Sequence, residues 1–176
     1  MNSVARARDF AAQAYGSRDE LQHPEEVAAL VGGGDEELAA AAILHDLVED
    51  TDVELPQIAA EFGSRVAALV GAMTEDGSIE DYAERKQEHR MRARDGGRDI
   101  ATLYVADKLS NARRMRRGQK EPDVKKLGHY QQTLETMRTA YPDLPLLPEL
   151  DAELRARAKG PETPESASEA QQGARA

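Results

Sequence analysis

His45 and Asp46 stand side by side in Ile43-Leu44-His45-Asp46-Leu47-Val48-Glu49-Asp50-Thr51, at the end of an apolar, alanine-rich stretch that opens near Asp35. A face destined for a core does not carry four ionisable side chains without partners, because burying each charge alone costs several kcal/mol or forces it to neutralise. A bound cation is the simplest partner. On a continuous helix the i,i+4 spacing lays His45 over Glu49 and Asp46 over Asp50, two adjacent columns of ligand-type or acid/base-type groups. His23, in Leu21-Gln22-His23-Pro24, and Asp107, in Val105-Ala106-Asp107-Lys108, supply what such a site still needs. Two imidazoles and two carboxylates from three helices form a mixed nitrogen and oxygen set. It suits a borderline or hard divalent ion and leaves positions open for water and substrate. On residue types alone, a His–Asp pair beside apolar residues is more often a hydrogen-bonded core histidine than a ligand.

The order of the segments changes that balance. His23-Pro24 with Val27-Ala28, the string Ala41 to Thr51, Phe62-Gly63 through Met73-Thr74-Glu75-Asp76, and Ala106-Asp107-Lys108-Leu109-Ser110-Asn111-Ala112-Arg113 follow one another along the chain. Together they resemble the HD-domain metal-dependent phosphohydrolases. The fuller wording is similar to the hydrolase domain of the RelA/SpoT family, including its small stand-alone members, over roughly Val4 to Tyr141. The resemblance implies an all-α HD-domain helical bundle with manganese, or another divalent cation, held by His23, His45, Asp46 and Asp107. It implies that Glu49 and Asp50 orient or deprotonate the attacking water, and that the reaction removes the 3′-pyrophosphate of (p)ppGpp.

Two departures qualify the substrate. The family places a basic pair and a Gly-x-Pro-Tyr stretch ahead of the first metal histidine to grip guanine. Here Tyr15-Gly16-Ser17-Arg18-Asp19-Glu20-Leu21-Gln22 is shorter and has Arg18 as its one basic residue, the remaining candidate for the base or its phosphates. Ser110 replaces the customary His or Tyr before the asparagine, a smaller side chain expected to widen the pocket. Three functions therefore compete: alarmone hydrolysis, hydrolysis of another nucleotide or small phosphoester, and a catalytically silent nucleotide-binding module. Intact Glu49 and Asp50 argue against the third.

The chain's 176 residues fit one domain with its own core, expected over residues 1–158. No cysteine is present, which removes disulfides, zinc thiolate sites and thiol nucleophiles and fits a reducing cytoplasm. The apolar run Leu38 to Leu44 is far short of the ~20 residues of a membrane span, and the N-terminus lacks the apolar core of a signal peptide. Charge is uneven. Met1 to Glu84 holds 4 basic and 19 acidic residues, whereas Arg85 to Lys126 holds 14 basic and 6 acidic. That basic segment would attract a polyanion. For Arg92, Arg94, Arg116 and Arg117 taken singly, solvated helix faces are the plainer reading. A net charge of −10 and seven aromatic residues argue against a dedicated nucleic-acid binder, so the expected partner is a small nucleotide. The oligomeric state is not written in the sequence.

Helical spacing predicts helices over Val4–Ala14, Pro24–Val31, Asp35 to about Asp50, Pro56–Phe62, Ser64–Met73, Glu80–Arg94, Arg98–Arg117, Pro122–Tyr141 and Glu149–Ala158, with a disordered tail beyond. On the Arg98–Arg117 helix, Tyr104, Asp107, Asn111 and Arg114 fall on one stripe. Tyr104, Asn111 and Arg114 are thus candidate substrate contacts beside the ligand. Lys108 and Arg113 point roughly 100° or more away from Asp107, where a surface role is equally expected. His89 and His129 lack ligand-type neighbours and stay outside the metal site.

Overall fold

Asp35 opens the segment that carries the chemistry. Its carboxylate accepts the backbone N–H groups of Glu37 and Leu38, each at 3.0 Å, satisfying two donors that a helix start leaves open. Arg65 grips the same carboxylate with both guanidinium nitrogens, at 3.0 and 2.6 Å. Helix α3 (Glu36–Leu44) follows, and every residue from Leu38 to Leu44 is buried. A helix that is apolar all round belongs in a core. Here α1 (Ser3–Tyr15), α2 (Gln22–Val31) and α6 (Ser64–Met73) pack around it. The computed structural model describes residues 3–118 and 123–158. No strand occurs among them, as expected of an all-α bundle.

The single helix expected from Asp35 to Asp50 is broken. α3 stops at Leu44, and a separate turn, α4 (Leu47–Asp50), begins after Asp46, whose carbonyl accepts the N–H groups of both Glu49 and Asp50 at 3.1 and 2.9 Å. Asp46 sits at φ −95°, ψ −7°, the bridge region where turns and many functional residues lie. The two straight columns read from the i,i+4 spacing become a corner instead. His45 is 1% exposed at its base, while Glu49 and Asp50 are exposed at its mouth.

The second site-bearing element is α8 (Arg98–Arg116). It starts from Gly97 at φ +98°, a conformation that glycine adopts without strain. α2, α6, α7 (Tyr82–Asp95), α9 (Val124–Ala140) and α10 (Leu147–Ala158) surround it. Leu103, Val105, Ala106 and Leu109 are fully buried, and each large apolar side chain contributes about 1.5–3 kcal/mol. α5 (Leu55–Phe62) joins α6 through Gly63, φ +92°. The Pro122 start expected for α9 and the tail beyond residue 158 lie outside the described residues. No helix among those described is long and apolar enough to cross a membrane.

Candidate metal centre and substrate cavity

α2, the α3–α4 corner and α8 bring His23, His45, Asp46 and Asp107 together. One ligand-type atom from each of His23, His45 and Asp107 lies within 4.8 Å of the others, and all three residues are buried. Asp46 adjoins them. Its Oδ1 is 3.0 Å from His45 Nε2 and its Oδ2 3.7 Å from His23 Nε2, and its side chain is one third exposed. Asp107 Oδ1 is 3.0 Å from His23 Nε2 and 3.9 Å from His45 Nε2.

Hydrogen bonding fixes both imidazoles. His45 Nδ1 lies 2.8 Å from the Ala42 carbonyl, which can only accept, so Nδ1 carries a hydrogen and Nε2 is the nitrogen that would face a cation. His23 Nδ1 lies 3.0 Å from Ser110 Oγ. That hydroxyl gives its one hydrogen to Glu26 Oε2 at 2.8 Å, so it accepts from His23 Nδ1–H, and Nε2, in hydrogen-bond contact with Asp107 Oδ1 at 3.0 Å, is the nitrogen that would turn to a cation. Arg117 holds Glu26 from the outside at 3.0 Å. Two ring nitrogens and two carboxylates therefore converge. His45 Nε2 is buried and makes no well-aligned hydrogen bond among the described residues, with Asp46 Oδ1 at 3.0 Å as its nearest charged neighbour. Burial alone would pull the His45 imidazole down, but Asp46 and Asp107 outweigh it and push it up to about 9. The cluster demands positive charge, which a divalent cation provides, and its donor set fits one.

Ser110 thus departs from expectation. It is fully buried and widens nothing, because its side chain faces α2 and serves His23.

A cavity of about 380 Å³ opens in front of the cluster. His23, Asp46 and Asp107 form one end, with Glu49 and Asp50 at the rim. Asn111 lines it too, giving Nδ2–H to Asp107 Oδ1 at 2.5 Å. Glu49 Oε1 accepts the Glu75 backbone N–H at 2.6 Å, which fixes one oxygen and leaves the other for water. Partial burial raises Glu49 from its ordinary value despite that bond, and burial followed by the Asp46 charge raises Asp50.

The opposite wall was not read from the sequence. Lys86, Lys126, Tyr82, Tyr130, His89 and His129 line it, while Lys108 lines the cavity beside Asp107. Lys86 and Arg85 pair with Glu75. Burial alone would raise Glu75, but His89, Lys86 and Arg85 hold its carboxyl well below the usual range. His89 and His129 reach this wall but not the ligand cluster. Lys108, expected to be as much a surface residue as a pocket one, is 7% exposed. The signal available in advance was the lysine content of the basic segment. Its arginines mostly pair elsewhere, as Arg92 does with Glu88, Arg94 with Asp95 and Arg116 with Glu153.

Three of the four expected substrate contacts do not line the cavity. Tyr104 is fully buried, and its hydroxyl meets His129 Nε2 at 3.2 Å. Arg18 turns to the surface and pairs with Asp9 at 2.7 Å. Arg114 does line a neighbouring recess with Tyr15, Asp19, Glu20, His23, Asp46 and Asp50.

A family profile for the HD domain matches residues 3–136. The chain belongs to the HD-domain family. HD-domain hydrolases bind a divalent metal, and His23, His45 and Asp107 form the candidate site in this member. Over 120 residues the HD domain is 32% identical to the guanosine-3′,5′-bis(diphosphate) 3′-pyrophosphohydrolase of Aquifex aeolicus, covering 62% of this chain and 17% of that protein. It is 35% identical over 101 residues to the Danio rerio enzyme MESH1, a guanosine-3′,5′-bis(diphosphate) 3′-pyrophosphohydrolase, covering 55% of this chain and 56% of that one. The matched region thus spans between under a fifth and just over half of these relatives.

Among solved structures, a metazoan ortholog of SpoT that hydrolyses ppGpp superposes with a TM-score of 0.76 at 24% identity, over 89% of this chain and 96% of that one. The protein lmo0812 of Listeria monocytogenes gives 0.68 at 28% identity, over 77% and 94%. Both likenesses establish the fold.

Proposed function

We propose that this HD domain is a manganese-dependent phosphohydrolase that cleaves the 3′-pyrophosphate of (p)ppGpp, giving GDP or GTP and pyrophosphate. The observation that carries the reading is the pair of imidazoles held through Nδ1 with their Nε2 atoms facing Asp46 and Asp107, beside a cavity lined by three lysines. The activities named for the Aquifex and Danio relatives support it. Five carboxylates and three lysines line the cavity, a deficit of two positive charges that one divalent ion cancels. A small nucleotide suits a space of about 380 Å³ better than a nucleic acid does, and a chain without cysteine suits the cytoplasm.

His23, His45, Asp46 and Asp107 would hold the ion, which when bound lowers the pKa of a water and offsets charge on the phosphoryl group. Glu49 takes the proton of the attacking water on its free oxygen, and its raised pKa brings it nearer the working pH of a general base. Asp50 orients that water from the same turn. Lys86 and Lys126 face the departing pyrophosphate from the far wall. Asn111 hydrogen-bonds the ribose or a phosphate, and Arg114 offers a second anchor on the recess side.

A second reading, hydrolysis of another nucleotide or small phosphoester, is favoured by one observation. Arg18 is tied to Asp9, and the recess near Tyr15 is lined by Asp19 and Glu20, so no basic grip on guanine stands there apart from Arg114. Product analysis separates the two. Pyrophosphate released from ppGpp with manganese present is the expected result. Orthophosphate from 5′-monophosphates, with ppGpp untouched, would replace the first reading by the second.

A further inference from the structure

Asp107 and Lys108 are neighbours on α8, and both are buried. The Lys108 ammonium donates to Asp107 Oδ2 at 2.5 Å, so Oδ1 is the oxygen left facing both imidazoles. The same ammonium sits 4.4 Å from the centroid of the Tyr104 ring, one turn earlier on the helix, in a cation–π contact. Tyr104 is itself fixed. Arg90 lies 3.0 Å from His129 Nδ1, and because a guanidinium only donates, Nδ1 accepts. The other ring nitrogen, Nε2, then carries the hydrogen and donates to the Tyr104 hydroxyl. Arg90, His129, Tyr104 and Asp107 are 7%, 5%, 0% and 7% exposed, so a chain of buried side chains holds one ammonium in place.

An ammonium has three donors. Asp107 takes one, the ring face provides no lone pair of the carbonyl kind, and among the described residues no other acceptor meets Lys108. Lys108 nevertheless lines the cavity, between Asp107 and the wall of Lys86 and Lys126. A buried donor with an open direction is costly unless an acceptor arrives. Charge points the same way, since two neutral imidazoles, two carboxylates and a divalent cation sum to zero and Lys108 makes the cavity floor positive.

We propose that Lys108 is the anion-holding group at the floor of this cavity, its free donors receiving an oxygen of a phosphate or pyrophosphate group seated in front of the His23–His45–Asp107 cluster. It rests on the same metal cluster and cavity as the hydrolase reading, but its test involves no hydrolysis, so either can fail while the other stands. Inorganic pyrophosphate is titrated calorimetrically into the full chain saturated with manganese. One charge-assisted hydrogen bond corresponds to roughly 10- to 150-fold in affinity. Lys108→Met should weaken pyrophosphate binding by at least about 10-fold while keeping its manganese affinity, and Lys108→Arg should retain most of the binding. In the wild-type protein the Lys108 ammonium resonance, assigned by its loss in Lys108→Arg, should shift when pyrophosphate is added; this measurement decides the matter if Lys108→Met does not fold. Unchanged pyrophosphate affinity in a folded Lys108→Met, loss of manganese from that variant, or an unmoved wild-type resonance would each overturn the proposal.

Discussion

Ser110→Ala tests the tautomer lock at its weakest joint. The hydroxyl takes one hydrogen bond from His23 Nδ1 and gives one to Glu26, and alanine removes both without adding bulk in a fully buried position. His23 is 8% exposed, so its Nδ1–H is left without an acceptor where water scarcely reaches. Such a group costs about 1–3 kcal/mol. The ring can escape that cost by moving its hydrogen to Nε2, which then points at Asp107 instead of offering a lone pair to the cation. Either outcome weakens the cluster, and the loss matches the 10- to 100-fold drop in metal affinity typical when such an outer partner is removed. The assay is competition for manganese against a fluorescent chelator near neutral pH, with circular dichroism to verify that the helices persist. Glu26→Ala should act in the same direction, because a hydroxyl freed from Glu26 can turn its hydrogen toward Nδ1 and favour the wrong tautomer. Wild-type manganese affinity in both folded variants would refute the lock and return Ser110 to a packing role.

Glu49→Gln keeps the carbonyl oxygen that receives the Glu75 N–H but cannot take a proton; it should lose on the order of 10²–10⁴-fold in kcat with manganese content intact, and undiminished turnover would leave Glu49 a purely structural role. His129 is held at about 3, chiefly by burial and then by the Lys108 and Arg90 charges, against about 6.5 for a free imidazole. The unfolded chain therefore binds a proton that the folded one refuses. Its contribution to stability is full above pH 6.5 and is lost as the pH falls toward 3, at up to about 1.4 kcal/mol per pH unit. His129→Gln can offer Arg90 an acceptor and Tyr104 a donor, so denaturant unfolding between pH 6 and 4 should give a shallower slope for the variant; equal slopes would contradict the neutral, buried assignment.

What could be read beforehand was whatever sits close together in the chain. The string from His45 to Thr51 announces its cluster of polar groups because an apolar helix makes each one conspicuous, and the glycines and caps announce most helix ends. The turn at Asp46 escaped because the residues on both sides of it have helical spacing. α8 misled for a different reason. Assigning Tyr104 to the stripe of Asp107, and giving Lys108 a surface role as readily as a pocket one, assumes that a helix has one buried side and one wet one. With α2, α6, α7, α9 and α10 around it, the middle of α8 has no wet side, and Asp107, Lys108, Ser110 and Asn111 are all buried. A polar side chain in that position must find a partner in a neighbouring helix or face an internal cavity. Ser110 does the first through His23 and Glu26, Asp107 does both, and Asn111 faces the cavity while bonding Asp107 on its own helix. Among the described residues Lys108 has only Asp107 and the Tyr104 ring to meet three donors, and it lines the cavity.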